Sequence, residues 1–157
     1  MHDRYYDTIK AFDALGTTLW TTGSFSTNAG GRLAVSGNGT IYFTTDSYAR
    51  ALSSDGNMLW SNSGFPWHVD YSTPVLPLTA DVVYLNTLTC MYALNATDGS
   101  QLWAASYNPS GLVFAIEGDA LYAATNGALS RIDRSTGKVM WSAPVQSASC
   151  PVENSST

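Results

Sequence analysis

The sequence predicts an all-β fold, an arc of a β-propeller built from four-stranded antiparallel blades. Three observations carry that prediction. Four segments end in Leu-Trp or Met-Trp, with a glycine four residues before each tryptophan: Gly16/Trp20, Gly56/Trp60, Gly99/Trp103 and Gly137/Trp141. The tryptophans recur at intervals of 40, 43 and 38 residues, the length of one propeller blade. The composition favours strands and turns: charged residues make up 12% of the chain, about half the usual share, while Gly, Ser, Thr, Tyr and Trp are abundant.

The elements follow in chain order. The first repeat has only Tyr5 to Phe12 ahead of its turn, room for one strand or two short ones. A partial blade is therefore expected over 1–22. Three nearly complete blades are expected over about 31–62, 73–105 and 111–143. Ser149-Cys150-Pro151-Val152 echoes Ser72-Thr73-Pro74-Val75, so a further blade is expected to start at 149–153. On this reading the 157 residues form a single incomplete propeller domain that begins and ends inside a blade.

Within a blade, Asp55-Gly56, Asp98-Gly99 and Thr136-Gly137 supply the positive φ that a tight hairpin requires at low steric cost. The strands ahead of them are short, β-branched or aromatic, as in Thr40-Ile41-Tyr42-Phe43-Thr44 and Ala120-Leu121-Tyr122-Ala123-Ala124. Tyr42, Tyr84 and Tyr122 stand 18 or 19 residues before the next tryptophan. A four-stranded sheet cannot bury both faces alone, so a bulky residue is expected between neighbouring blades. Trp20, Trp60, Trp103 and Trp141, with Gly16, Gly56, Gly99 and Gly137, are accordingly read as blade-docking residues rather than ligand-binding ones.

The strand tyrosine, Ala93-Leu94-Asn95-Ala96-Thr97-Asp98-Gly99-Ser100-Gln101-Leu102-Trp103 and Ile132-Asp133-Arg134-Ser135-Thr136-Gly137-Lys138-Val139-Met140-Trp141 resemble the repeat of the pyrroloquinoline quinone (PQQ)-like, quinoprotein-dehydrogenase-like propellers. The resemblance covers nearly the whole chain and rests on that family's tryptophan-docking signature, which is specific for the fold and says little about activity. It implies a ring of roughly seven or eight blades, of which this chain would be about half. It also implies work outside the cytoplasm and two functional branches: a non-catalytic protein-interaction or scaffold module, or a fragment of a quinoprotein dehydrogenase oxidising alcohols or sugars with PQQ and Ca²⁺.

The residues favour the first branch. The enzyme would need adjacent cysteines and a set of Glu, Asn and Asp oxygens around a hard cation. The chain has two cysteines, Cys90 and Cys150, sixty residues apart, and two glutamates, Glu117 and Glu153. Glu117 precedes the turn Gly118-Asp119. No catalytic, cofactor-binding or metal-ligating residue is assigned, and no cofactor is expected. The cysteines pair in a disulfide or remain two buried thiols. The least repeat-like stretch is 64–71, whose Phe65, Trp67, His68, Asp70 and Tyr71 form a candidate recognition loop rich in interface-type side chains.

Partners follow from charge and pattern. The net charge is −5, and the five Arg and two Lys are scattered, so no basic stripe offers itself to nucleic acid. No apolar run approaches the roughly 18 residues of a membrane helix. Met1-His2-Asp3-Arg4-Tyr5-Tyr6 does not open a signal peptide. Expected partners are another protein or the remaining blades of the same propeller, with self-association as a further possibility because an open arc leaves sheet edges and faces uncovered. Asn38, Asn95 and Asn154 open glycosylation-type triplets, which are common in a chain this rich in Ser and Thr.

Overall fold

The computed structural model describes residues 5–27, 33–45, 48–63, 65, 73–77, 81–86, 90–106, 114–125 and 127–144. All regular structure among them is β. The chain opens with β1 (Tyr5–Asp7), β2 (Lys10–Phe12), β3 (Thr18–Thr21) and β4 (Phe25–Thr27). β2 pairs with β3 and β1 with β4, both antiparallel. Ile9 and Thr22 bond to each other between these pairs, so 5–12 and 18–27 form one long, bent hairpin. The hairpin holds the two outer strands of a blade.

Three complete sheets follow. The first contains β5 (Leu33–Val35), β6 (Ile41–Thr45), β7 (Tyr48–Leu52) and β8 (Met58–Asn62). The second contains β9 (Thr73–Pro77), β10 (Val82–Asn86), β11 (Cys90–Asn95) and β12 (Gln101–Ser106). The third contains β13 (Phe114–Glu117), β14 (Ala120–Thr125), β15 (Ala128–Asp133) and β16 (Val139–Pro144). In each, the strands lie side by side in chain order and antiparallel. This is the meander of a propeller blade, and the sheets form an open arc.

The core lies between blades. Tyr42, Ala49, Ala51 and Trp60 of one sheet pack on Val83, Leu85, Tyr92, Leu94 and Ala96 of the next. Tyr84, Met91, Ala93 and Trp103 then pack on Leu121, Ala123 and Ile132. Leu52, Leu85, Met91, Leu94, Leu121 and Ile132 are fully buried. Each such side chain contributes about 1.5–3 kcal/mol by leaving water, so the stack is held by its seams.

One irregularity recurs in all four hairpins that carry a repeat tryptophan. The residue before each tryptophan has no partner across the ladder: pairing jumps from Phe12↔Thr18 to Ala11↔Trp20, from Leu52↔Met58 to Ala51↔Trp60, and likewise at Leu102 and Met140. Such a bulge twists the strand and re-aims the next side chain. Leu19, Leu59, Leu102 and Met140 are exposed as a result. Trp60 and Trp103 turn into the seams and are buried.

Candidate functional site

The four turns between the last two strands of each blade lie along one edge of the arc. Each opens with a short polar residue whose side chain satisfies the turn's own amides, the role for which Asp, Asn and Ser are favoured. Asp13 Oδ1 accepts from the Leu15 and Thr17 amides, Ser53 Oγ from Asn57, Asn95 Oδ1 from Thr97, and Asp133 Oδ1 from Ser135 and Thr136. Hydrogen bonds from Ser135 and Thr136 pull the Asp133 carboxyl down to about 2. Bonds from Thr17 lower Asp13, and bonds from Ser100 lower Asp98. These carboxylates serve as turn acceptors.

Each turn glycine has φ between +70° and +82°. Three of them carry an indole from the preceding blade. A Cβ on Gly56 would stand 2.8 Å from Cδ2 of Trp20, one on Gly99 2.7 Å from Cδ2 of Trp60, and one on Gly137 2.6 Å from Cε3 of Trp103. The indole N–H then donates to the same turn: Trp20 Nε1 to the Ser54 carbonyl (2.9 Å), Trp60 Nε1 to Ala96 (2.9 Å) and Trp103 Nε1 to Arg134 (2.8 Å). Tyr42 and Tyr84 lie behind Trp60 and Trp103, with ring centroids 6.0 Å apart in both pairs. The outermost members stand differently. Gly16 has nothing within 4 Å of its would-be Cβ, and Trp141 is 43% exposed beside Tyr122.

A cleft of about 300 Å³ opens between the second and third complete sheets, lined by Val82, Tyr84, Asp119, Asp133, Arg134 and Ser135. Its polar groups are engaged by the protein itself. Arg134 donates to the Tyr84 hydroxyl and the Gly118 carbonyl, Arg131 pairs with Asp119 at 2.9 Å, and Asp133 holds its turn. The cleft lies in a seam between blades.

The opposite edge, where β6 turns into β7 and β8 ends, carries a cluster that sequence reasoning missed. The Arg50 guanidinium lies 4.4 Å from the Tyr48 ring centroid and 5.1 Å from that of Phe25, within cation–π range. Its nitrogens donate to Ser61 Oγ (3.2 Å) and to Thr45 Oγ1, and Phe25 packs on Phe43 at 5.0 Å. Arg50 occupies the strand position that Tyr92 fills in the next sheet. A cation at a seam position was the available signal.

The same comparison corrects one expectation for the loop 64–71. Phe65 is 6% exposed and packs edge-on against Tyr92, with centroids 5.2 Å apart. It stands five residues after Trp60, as Phe25 stands five after Trp20. Both phenylalanines plug the seam toward the next blade, so Phe65 belongs to the core and not to a recognition surface. Trp67, His68, Asp70 and Tyr71 lie outside the described residues. Burial pushes the Tyr92 hydroxyl up to about 12, with Cys90 adding to the effect. Cys90 is half-buried, its sulfur 3.5 Å from Ser106 Oγ, and Cys150 lies outside the described residues. The Asn38 and Asn95 side chains serve turns, and Asn154 is outside the described residues.

Among the described residues, no three His, Cys, Asp or Glu side chains converge as a cation cage, and Glu117 is exposed at the end of β13. No helix among the described residues is long and apolar enough to cross a membrane.

The family described as outer membrane protein assembly factor BamB matches residues 6–154. The chain belongs to this family of PQQ-like propellers. No curated protein sequence matches it significantly. Among solved structures, BamB from Moraxella catarrhalis superposes with a TM-score of 0.68 at 15% identity, covering 86% of this chain and 43% of its own. A quinohemoprotein alcohol dehydrogenase, ADHIIG, from Pseudomonas putida HK5 matches at TM-score 0.59 and 16% identity, over 88% of this chain and 32% of its own. The quinohemoprotein alcohol dehydrogenase from Comamonas testosteroni matches at 0.56 and 15%, over 75% and 21%. At these identities the likeness is one of fold. The chain spans less than half the length of the BamB structure it matches.

Proposed function

We propose that this chain is a non-catalytic propeller module that binds another protein as a scaffold, and that it works outside the cytoplasm. The observation that carries the reading is the match, over nearly the whole chain, to a family described as an outer membrane protein assembly factor. Residue chemistry supports it from two sides. The carboxylates of Asp13, Asp98 and Asp133 serve turns and that of Asp119 an ion pair, and no three ligand-type side chains gather around a cation among the described residues. The edge at the β6–β7 hairpin presents Tyr48, 39% exposed, stacked over Arg50. Tyrosine and arginine are enriched at protein interfaces, where a rigid ring and a fixed guanidinium supply contact area at low entropic cost.

The test is affinity capture from an envelope fraction with the wild-type chain and with Tyr48→Ser. A partner retained by the wild type and lost by the variant supports the reading. Dye reduction that depends on added PQQ and Ca²⁺ sinks it in favour of a dehydrogenase fragment.

A further inference from the structure

The cleft between the second and third complete sheets differs at two positions from the equivalent place one seam earlier. In the earlier seam the Tyr42 hydroxyl shares a hydrogen bond with the side chain of Thr40, two residues before it. Ala96, whose carbonyl receives the Trp60 indole, is 6% exposed there. In the later seam Val82 stands two residues before Tyr84 and brings no polar side-chain atom, while Arg134, whose carbonyl receives the Trp103 indole, replaces the alanine. Both walls of this seam are complete four-stranded sheets within the chain.

The bonds already made in the cleft leave hydrogen-bonding capacity open. Tyr84 is 4% exposed. Its hydroxyl oxygen accepts from Arg134 Nε at 3.2 Å, and its own proton has no acceptor among the described residues. A buried donor of that kind calls for a partner. The Arg134 guanidinium spends Nε on Tyr84 and Nη1 on the Gly118 carbonyl, so its Nη2 donors have no acceptor among the described residues. Acceptors line the same cleft. Asp133 commits Oδ1 to Ser135 and Thr136, and Asp119 commits Oδ1 to Arg131, which leaves both Oδ2 atoms without a hydrogen bond among the described residues.

The chemistry of an occupant follows from this pairing. The formal charges cancel, Arg131 and Arg134 against Asp119 and Asp133. Hydrogen bonds from Ser135 and Thr136 hold the Asp133 carboxyl at about 2, so it is anionic at neutral pH and repels a carboxylate brought beside Arg134. An ammonium group is repelled by the guanidinium in the same way. A neutral group that accepts at one atom and donates at its neighbour satisfies both sides, and a primary amide does so through its carbonyl oxygen and its NH₂. The volume, about 300 Å³, lies at the lower end of small-ligand sites, about 300–1,000 Å³. Val82 offers an apolar wall to the methylenes that carry such an amide.

We propose that this cleft binds a primary amide, whose oxygen accepts from the Tyr84 hydroxyl and Arg134 Nη2 and whose NH₂ donates to the carboxylates of Asp133 and Asp119. The amide arrives on a free small molecule or on a Gln or Asn side chain of a polypeptide. The site is on the turn edge, opposite Tyr48 and Arg50, and does not depend on what binds there.

Titration of the isotope-labelled chain, followed by proton–nitrogen correlation spectra of the tryptophan indoles, tests this. The Trp103 indole, bonded to the Arg134 carbonyl at 2.8 Å and assigned by its loss in Trp103→Phe, reports on the cleft; the Trp20 indole, bonded to Ser54 in another seam, is the control. The probes are N-acetyl-glutamine methylamide and its glutamate, lysine and leucine counterparts. The glutamine probe is expected to shift the Trp103 signal saturably, with a dissociation constant in about the millimolar range, and the other three are not. Arg134→Ala and Tyr84→Phe are each expected to weaken binding about tenfold. Both substitutions keep the seam: alanine already serves at Ala96, and phenylalanine retains the ring against Trp103. An unshifted Trp103 indole in the unliganded variants verifies this. Free glutamine separates the sources. Binding of the free amino acid points to a small molecule, and binding of the blocked probe alone to a polypeptide side chain; either supports the site. A glutamine probe that leaves Trp103 unmoved overturns the proposal. So does an equal response to the leucine probe, a stronger one to glutamate or lysine, or variants that bind as tightly as the wild type.

Discussion

Replacing Gly99 by alanine puts a methyl group where the Trp60 indole now lies, and Gly127 provides the matched control. Both glycines have nearly the same backbone, φ +73° and +72°, so alanine meets the same left-handed penalty at each, about 1–2 kcal/mol. Their surroundings differ. Nothing stands within 4 Å of a Cβ at Gly127, whereas at Gly99 the new carbon would be 2.7 Å from Cδ2 of Trp60. The indole cannot yield in place. Its N–H is held by Ala96 at 2.9 Å, and Asn62 clamps the Gly99 carbonyl at 2.7 Å. Trp60 must therefore leave the seam, forfeiting about 1 kcal/mol of hydrogen bond and much of its burial, with truncation of a buried tryptophan, about 3–5 kcal/mol, as the ceiling. Gly99→Ala is expected to cost about 3–5 kcal/mol in all and Gly127→Ala about 1–2. Urea unfolding followed by fluorescence and far-ultraviolet circular dichroism measures both. Equal losses would refute the claim that the indole seat, rather than the backbone angle, demands glycine at position 99.

Two further outcomes follow from the same joints. Trp103→Phe keeps a ring in the seam but deletes the N–H that reaches the Arg134 carbonyl at 2.8 Å. It should lower stability by about 1–3 kcal/mol through the carbonyl left unpaired and the smaller ring, and a variant as stable as the wild type would contradict the bond. For Asp133, a folded-state pKa below the ordinary 3.8 means a stabilising contribution that is present above 3.8 and lost as pH falls toward about 2. Asp133→Asn removes that titration, so its urea midpoint should fall less steeply than the wild type's across this window; parallel curves would argue against the turn bonds.

The sheets were legible in the sequence because each repeat states a backbone demand. A glycine at positive φ, a short alternating strand and an aromatic at fixed spacing each exclude most other structures. The residue before each tryptophan was not legible in the same way. Leu19, Leu59, Leu102 and Met140 look like core residues, yet a bulge places them outside. Phe65 misled in the opposite sense, since a stretch without repeat pattern hides that the residue five after Trp60 plugs the next seam. The Arg50 cluster gathers Phe25, Thr45, Tyr48 and Ser61 from two neighbouring blades. Such a site is set by how blades stack, which no single repeat spells out.

Plug and socket lie four residues apart in each blade, the glycine in the turn and the tryptophan on the strand that leaves it. Any unit copied in tandem therefore arrives already compatible with the neighbour before it and the neighbour after it. A propeller of this kind can gain or lose whole blades by duplication or deletion of one coding segment. Heredity of the joint is local, and ring size becomes something evolution can count rather than redesign.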